Sequence, residues 1–102
     1  MSEYVEIQAR VERFIPNAMT DHLAGGRWAT YDASELRVLS PEGRAGTRLF
    51  VYHDRPPEPG SVWRRPKQRI RFRVAKRDLD PGVTLFDGAL TDLAVVDGAP
   101  EG

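Results

Sequence analysis

Gln68-Arg69-Ile70-Arg71-Phe72-Arg73-Val74-Ala75 is the stretch that decides the fold. Ile70, Phe72 and Val74 alternate with Arg69, Arg71 and Arg73, the period of two that sets one greasy face against one cationic face on an extended strand. The same alternation opens the chain, where Val5, Ile7, Ala9 and Val11 interleave with Glu6, Gln8, Arg10 and Glu12. Two half-buried strands at such separated positions predict a sheet with one side packed and one side wet.

Working outward, Phe14-Ile15 breaks the first alternation and predicts a bulge or strand end before Pro16. Residues 17–24 read either as a short helix capped by Asn17 and stopped at Gly25-Gly26, or as a structured loop. From Trp28, Thr30 and Tyr31 through Leu36, Val38 and Leu39 the pattern is β-like, with Asp32-Ala33-Ser34 as an expected interruption. Ser40-Pro41-Glu42-Gly43 has type I turn residues, and 47–53 should return as an antiparallel strand. Residues 54–66 hold four prolines and Gly60, so they predict an irregular connection. Asp80-Pro81-Gly82 predicts a turn, and Asp87-Gly88 between 83–86 and 89–96 predicts a two-residue hairpin.

Five or six strands with at most one short helix near 17–24 give an all-β class, and unprotected edges argue for a small antiparallel barrel, with a sandwich as the alternative. In architecture the order of elements resembles the oligonucleotide/oligosaccharide-binding (OB) barrel, a five-stranded Greek key. That fold commonly carries a helix between its third and fourth strands, where this chain has prolines. The 102 residues are expected to form one domain over 1–96 with a flexible tail at 97–102.

No cysteine is present, which excludes disulfides, thiolate metal sites and thiol nucleophiles and suggests a reducing compartment. With no signal-like or membrane-length apolar run, the expectation is a cytoplasmic protein without a membrane partner. Fifteen basic and fifteen acidic residues cancel, but unevenly: residues 64–77 carry eight basic and no acidic side chains, and 78–102 carry six acidic and no basic ones.

The basic cluster is the sharpest chemical feature. Lys67, Arg69, Arg71 and Arg73 would project from one strand face about 6.6 Å apart, a line of roughly 20 Å backed by Arg64 and Arg65 and followed by Lys76 and Arg77. Guanidinium groups suit phosphate, and Trp63, Tyr52 or Phe50 would add a stacking surface if they lay beside the line. The alternative is a solvated face whose arginines pair with Glu6, Glu12, Asp87 and Asp92.

Other features carry less. His22 and His53 each adjoin an aspartate, Asp21 and Asp54, but neither spacing is a metal pattern, and neighbours on a strand face opposite ways. Gly25-Gly26 lacks the context of a phosphate loop and reads as backbone punctuation. Ser2, Ser34, Ser40 and Ser61 sit in no nucleophile-elbow pattern. Pro56-Pro57-Glu58-Pro59 favours an extended loop, which is expected to fold Trp63 back onto the core.

The expectation is therefore a non-enzymatic binding module without cofactor or metal, acting on a protein partner or on a second copy of itself. The first alternative is an OB-like single-stranded nucleic-acid binder using Arg64, Arg65, Lys67, Arg69, Arg71 and Arg73 with Trp63 and Tyr52. The second is a small enzyme with a histidine-carboxylate site.

Overall fold

The computed structural model describes residues 3–96. The expected tail at 97–102 lies outside them. Six strands form one mixed sheet: β1 (Tyr4–His22), β2 (Trp28–Ser40), β3 (Arg48–His53), β4 (Arg69–Ala75), β5 (Leu85–Phe86) and β6 (Thr91–Val95). Their spatial order is β5-β3-β2-β1-β4-β6. All contacts in the sheet are antiparallel except β3 with β5, which is parallel.

The alternation in Gln68–Ala75 does what the pattern predicts. Ile70, Phe72 and Val74 are fully buried, and they meet Ile7, Ala9, Val11, Leu36, Val38, Val51 and Leu85 in a single core on the inner face. Trp63 joins that core from a short 3₁₀ turn at Val62–Arg64, so the proline-rich connection does plug the core with its indole. Ser61 Oγ accepts the Trp63 amide proton and starts that turn.

The sheet is not closed into a barrel, in contrast to the expectation. It is nonetheless rolled. β5 and β6 stand at opposite ends of the strand order, yet only Asp87–Leu90 separate them in sequence. Five residue steps reach at most about 18 Å, whereas a flat sheet of six strands at 4.8 Å spacing would be about 24 Å across. The two edges must therefore curl toward each other around the core.

Three local expectations are corrected. Residues 17–24 hold no helix: β1 runs on to His22 and turns back through 23–27 into β2, with Leu23 N donating to Arg27 O at 2.7 Å. Tertiary pairing overrides the capping signal, because Met19–His22 find cross-strand partners in Trp28–Tyr31. Asn17 instead sits at φ 52° in an irregularity between Ile15 and Met19, and its amide donates to Asp32 Oδ1. Gly25 and Gly26, both at positive φ, make the turn. Asp32-Ala33-Ser34 does not interrupt β2, since Ala33 and Ser34 are both fully buried and paired. Asp87-Gly88 is not a hairpin: its flanks pair with β3 on one side of the molecule and β4 on the other, and Asp87–Ala89 is a 3₁₀ turn. A local turn preference cannot compete with the two ladders that pull its arms apart.

Two expected turns are present. The one after β2 starts a residue late, with Arg44 N donating to Pro41 O, and Asp80-Pro81-Gly82 closes through Val83 N to Asp80 O. Among the described residues, no helix is long and apolar enough to cross a membrane.

Candidate functional site

Residues paired across strands point to the same side of a sheet, so the register maps the outer face row by row. One row crosses four strands and consists only of arginines: Arg69 of β4 opposes Arg10 of β1, Arg10 opposes Arg37 of β2, and Arg37 opposes Arg48 of β3. Arg10, Arg37 and Arg69 each sit between buried neighbours, as Arg10 between Ala9 and Val11, and Arg48 precedes Leu49, which packs against the core, so all four project outward. The next row, two residues along β2 and β3 and three along β1, where the register shifts between Val11 and Arg13, reads Arg13, Glu35, Phe50. The third reads Ile15, Ala33, Tyr52, Phe86. The outer face thus grades from cationic to mixed to apolar and aromatic within about 13 Å.

Tyr31 and Tyr52 both meet Phe86, at centroid distances of 5.2 and 6.1 Å. Phe50 is 38% exposed beside them. A cleft of about 320 Å³ lies between the outer side of β3 and residues 78–85, with Arg48, Phe50, Tyr52 and Asp80 among its lining.

Carboxylates on this face are shared rather than matched. Glu12 takes Arg10 at 3.1 Å and Arg37 at 3.0 Å. Glu35 takes Arg13 at 2.7 Å and, at 3.9 Å, Arg48. Hydrogen bonding from Arg10, then from Arg37, with the attraction of both charges, holds the Glu12 carboxyl below its ordinary value of 4.5 against the opposing cost of burial. Glu12 therefore stays ionised and anchors two members of the row.

Of the expected basic line, Arg69, Arg71 and Arg73 do share one face of β4, and two of them are paired. Arg71 stands 3.8 Å from Glu6, and Arg73 stands 3.9 Å from Asp92. These four residues line a second cleft of about 350 Å³. Lys67 precedes the strand at φ 71° and continues the β1 ladder only through its backbone. Arg64 donates to Pro57 O and lies 4.6 Å over the Phe14 ring, while Arg65 donates to Gly60 O. Both brace the loop that carries Trp63. Trp63 faces inward and Tyr52 outward, so the two aromatics expected to share a surface lie on opposite faces.

His53 belongs to a different site. It is 1% exposed, packed between Phe14 and Trp63. Its Nε2 is 2.9 Å from Ser34 Oγ, and its Nδ1 is 2.9 Å from Asp87 Oδ2. Ser34 donates its only hydroxyl proton to the Trp63 carbonyl at 2.7 Å, so its oxygen is left to accept from Nε2. Both ring nitrogens of His53 thus face acceptors. The sequence of contacts is that of a serine-histidine-aspartate row, but Ser34 is fully buried with its proton committed to a carbonyl, so in this structure a reactant has no path to it. Asp54 takes no part, and Asp87, expected to pair with the arginines, points inward to His53 instead. At the tip of the β1–β2 arm, His22 stacks on Trp28 at 4.4 Å, and Trp28 is 68% exposed. Among the described residues, no group of three histidines or carboxylates is placed to hold a metal ion.

Sequence reasoning missed Arg10, Arg37 and Arg48 as partners of Arg69, and Ser34 and Asp87 as partners of His53. The alternation marks each arginine as outward-facing, but register alone brings them side by side. Comparison with family models, with curated proteins and with solved structures finds no match to this chain.

Proposed function

We propose that this chain is a non-enzymatic module that binds single-stranded nucleic acid on the outer face of β4-β1-β2-β3. The observation that carries the reading is the excess of arginines there. Among the described residues, Arg10, Arg13, Arg37, Arg48, Arg69, Arg71 and Arg73 share a surface with Glu6, Glu12, Glu35 and Asp92, beside exposed aromatic rings. A neutral chain that concentrates cations on one face holds a local field for a polyanion despite its zero net charge.

An OB-like reading of the topology supports it. β1 pairs with both β2 and β4, β3 pairs in parallel with β5, and β6 pairs with β4. Taken together, β5 and β6 act as one interrupted last strand spanning the seam, and the Trp63 loop takes the place of the usual capping helix. In such folds the β2–β3 face and the β1–β2 and β4–β5 loops bind oligonucleotides. Here those positions hold Phe50, Tyr52 and the Trp28 arm. The absence of cysteine fits a reducing, cytoplasmic setting.

Titrating labelled single-stranded and duplex oligonucleotides at two salt concentrations tests the function. Tighter binding of the single strand, weakening steeply with salt, is the expected result. Equal, salt-insensitive binding of neither or both would overturn it. A second reading, self-association or docking on a protein partner, draws on β6, an edge strand whose Leu93 and Val95 are 43% and 49% exposed. Light scattering tests it: a strictly monomeric chain over the accessible concentration range removes self-association.

A further inference from the structure

We infer that the bound strand crosses the sheet at right angles to the β-strands. Its phosphates lie along Arg69, Arg10, Arg37 and Arg48, and its bases lie on Phe50, Tyr52 and Phe86. This path rests on the nucleic-acid reading above and assigns it a direction, a contact set and a ligand form.

The first argument is energetic. Like charges directly opposite each other on neighbouring strands repel. Three such pairs follow one another in this row, Arg69 with Arg10, Arg10 with Arg37 and Arg37 with Arg48. Glu12 is the carboxylate that bridges two of the four, and Glu35 reaches Arg48 only at 3.9 Å while holding Arg13 closely. Glu12 offsets part of this repulsion at Arg10 and Arg37. A line of anions laid across the row would offset the mutual repulsion that remains.

The second argument is geometric. Strands lie about 4.8 Å apart, so the row presents one guanidinium per strand along a path of roughly 14 Å that follows the curved outer surface, a path a flexible polyanion can trace. Arginine 71 and 73 extend along β4 instead, and each already stands near a carboxylate, Glu6 or Asp92.

The third argument is the asymmetry of the row's two flanks. On one side stand Phe50, then Tyr52 and Phe86. On the other stand Gln8 with Arg71 and Glu6 with Arg73. A ligand with phosphates on the row meets rings in the next two rows on one side, whereas on the other the first ring, Tyr4, comes only beyond Glu6 and lies under Arg73 at 5.9 Å. Unpaired bases offer π faces to those rings, whereas a duplex keeps its bases stacked inside. A single strand is therefore the form that uses both features.

The test compares salt dependence for a short oligodeoxythymidylate, a duplex of equal length, and heparin. For the single strand each lost phosphate contact lowers the slope of log affinity against log salt by about 0.7. Arg37→Ser with Arg48→Ser should flatten the slope by about 1.4, while Arg37→Lys with Arg48→Lys, which keeps the charges, should leave it nearly unchanged. Arg71→Ser with Arg73→Ser, which flank the row and already stand near Glu6 and Asp92, should flatten it by less than one contact, below about 0.7. Phe50→Ala and Tyr52→Ala should each weaken single-strand binding about 5- to 100-fold at constant slope and leave heparin binding as it was. Loss of slope in the Arg71/Arg73 variant but not in the Arg37/Arg48 variant would overturn the path while leaving the function standing. Failure of the intact chain to bind any single strand would remove the function itself, and the path with it.

Discussion

The inner row Trp63–Ser34–His53–Asp87, which links two strands and two turns, and the outer row Arg69–Arg10–Arg37–Arg48, which crosses four strands, are both lines of polar groups, and they are built in opposite ways. Inside, each donor meets an acceptor at 2.7 to 2.9 Å, and among the described residues no buried side-chain nitrogen or oxygen lacks a partner. Outside, cations stand beside cations, and among the described residues Glu12 and Glu35 are each shared between two of the arginines on that face. The low-dielectric interior makes any unpaired group expensive, so its polar network must close on itself. Water screens the outer face, so that surface can hold unspent charge at small cost and present it to a ligand. The inner row fixes the architecture, and the outer row is available for function.

The largest effect should come from breaking the inner row. His53→Ala removes a buried ring and strands both Ser34 and Asp87, and should cost about 3–5 kcal/mol in chemical denaturation. Asp87→Asn keeps the shape but weakens a charge-assisted hydrogen bond, with an expected loss of about 1–3 kcal/mol. Neither should alter the salt dependence of oligonucleotide binding under conditions where the protein remains folded. A change in that dependence would show that the two rows are coupled.

A smaller effect belongs to Glu12, which connects two members of the outer row. Its carboxyl is held below 4.5 in the folded chain, so its contribution to stability is present above that value and is lost as pH falls through the lowered folded value. Partly exposed pairs of this kind contribute about 1 kcal/mol or less. Denaturation midpoints of the wild type and Glu12→Gln should therefore converge on acidification through that range, and a difference that persists unchanged at the acid end would contradict the assignment.

The smallest effect sharpens the contrast most. Arg37→Ser relieves two repulsive cross-strand neighbours and gives up one exposed ion pair, so its stability should stay within about 0.5 kcal/mol of wild type. A loss of several kcal/mol would mean that this arginine supports the fold and would place it with the inner row.

Period-two alternation in the sequence was enough to determine which side chains face inward on β4 and on the first part of β1, residues 5–11, because the alternation of a strand is a local property of the backbone. It also assigned the all-β class, the irregular proline-rich connection and the inward Trp63, each from chemistry within a few residues. Register was decided only by the tertiary structure. Arg10, Arg37, Arg48 and Arg69 become neighbours, and Ser34, His53 and Asp87 meet, through ladders whose alignment depends on the whole core packing at once. For the same reason the helix expected near 17–24 became a β arm and the hairpin expected at Asp87-Gly88 became a turn across the seam: pairing with distant strands outweighed preferences worth about 1 kcal/mol each.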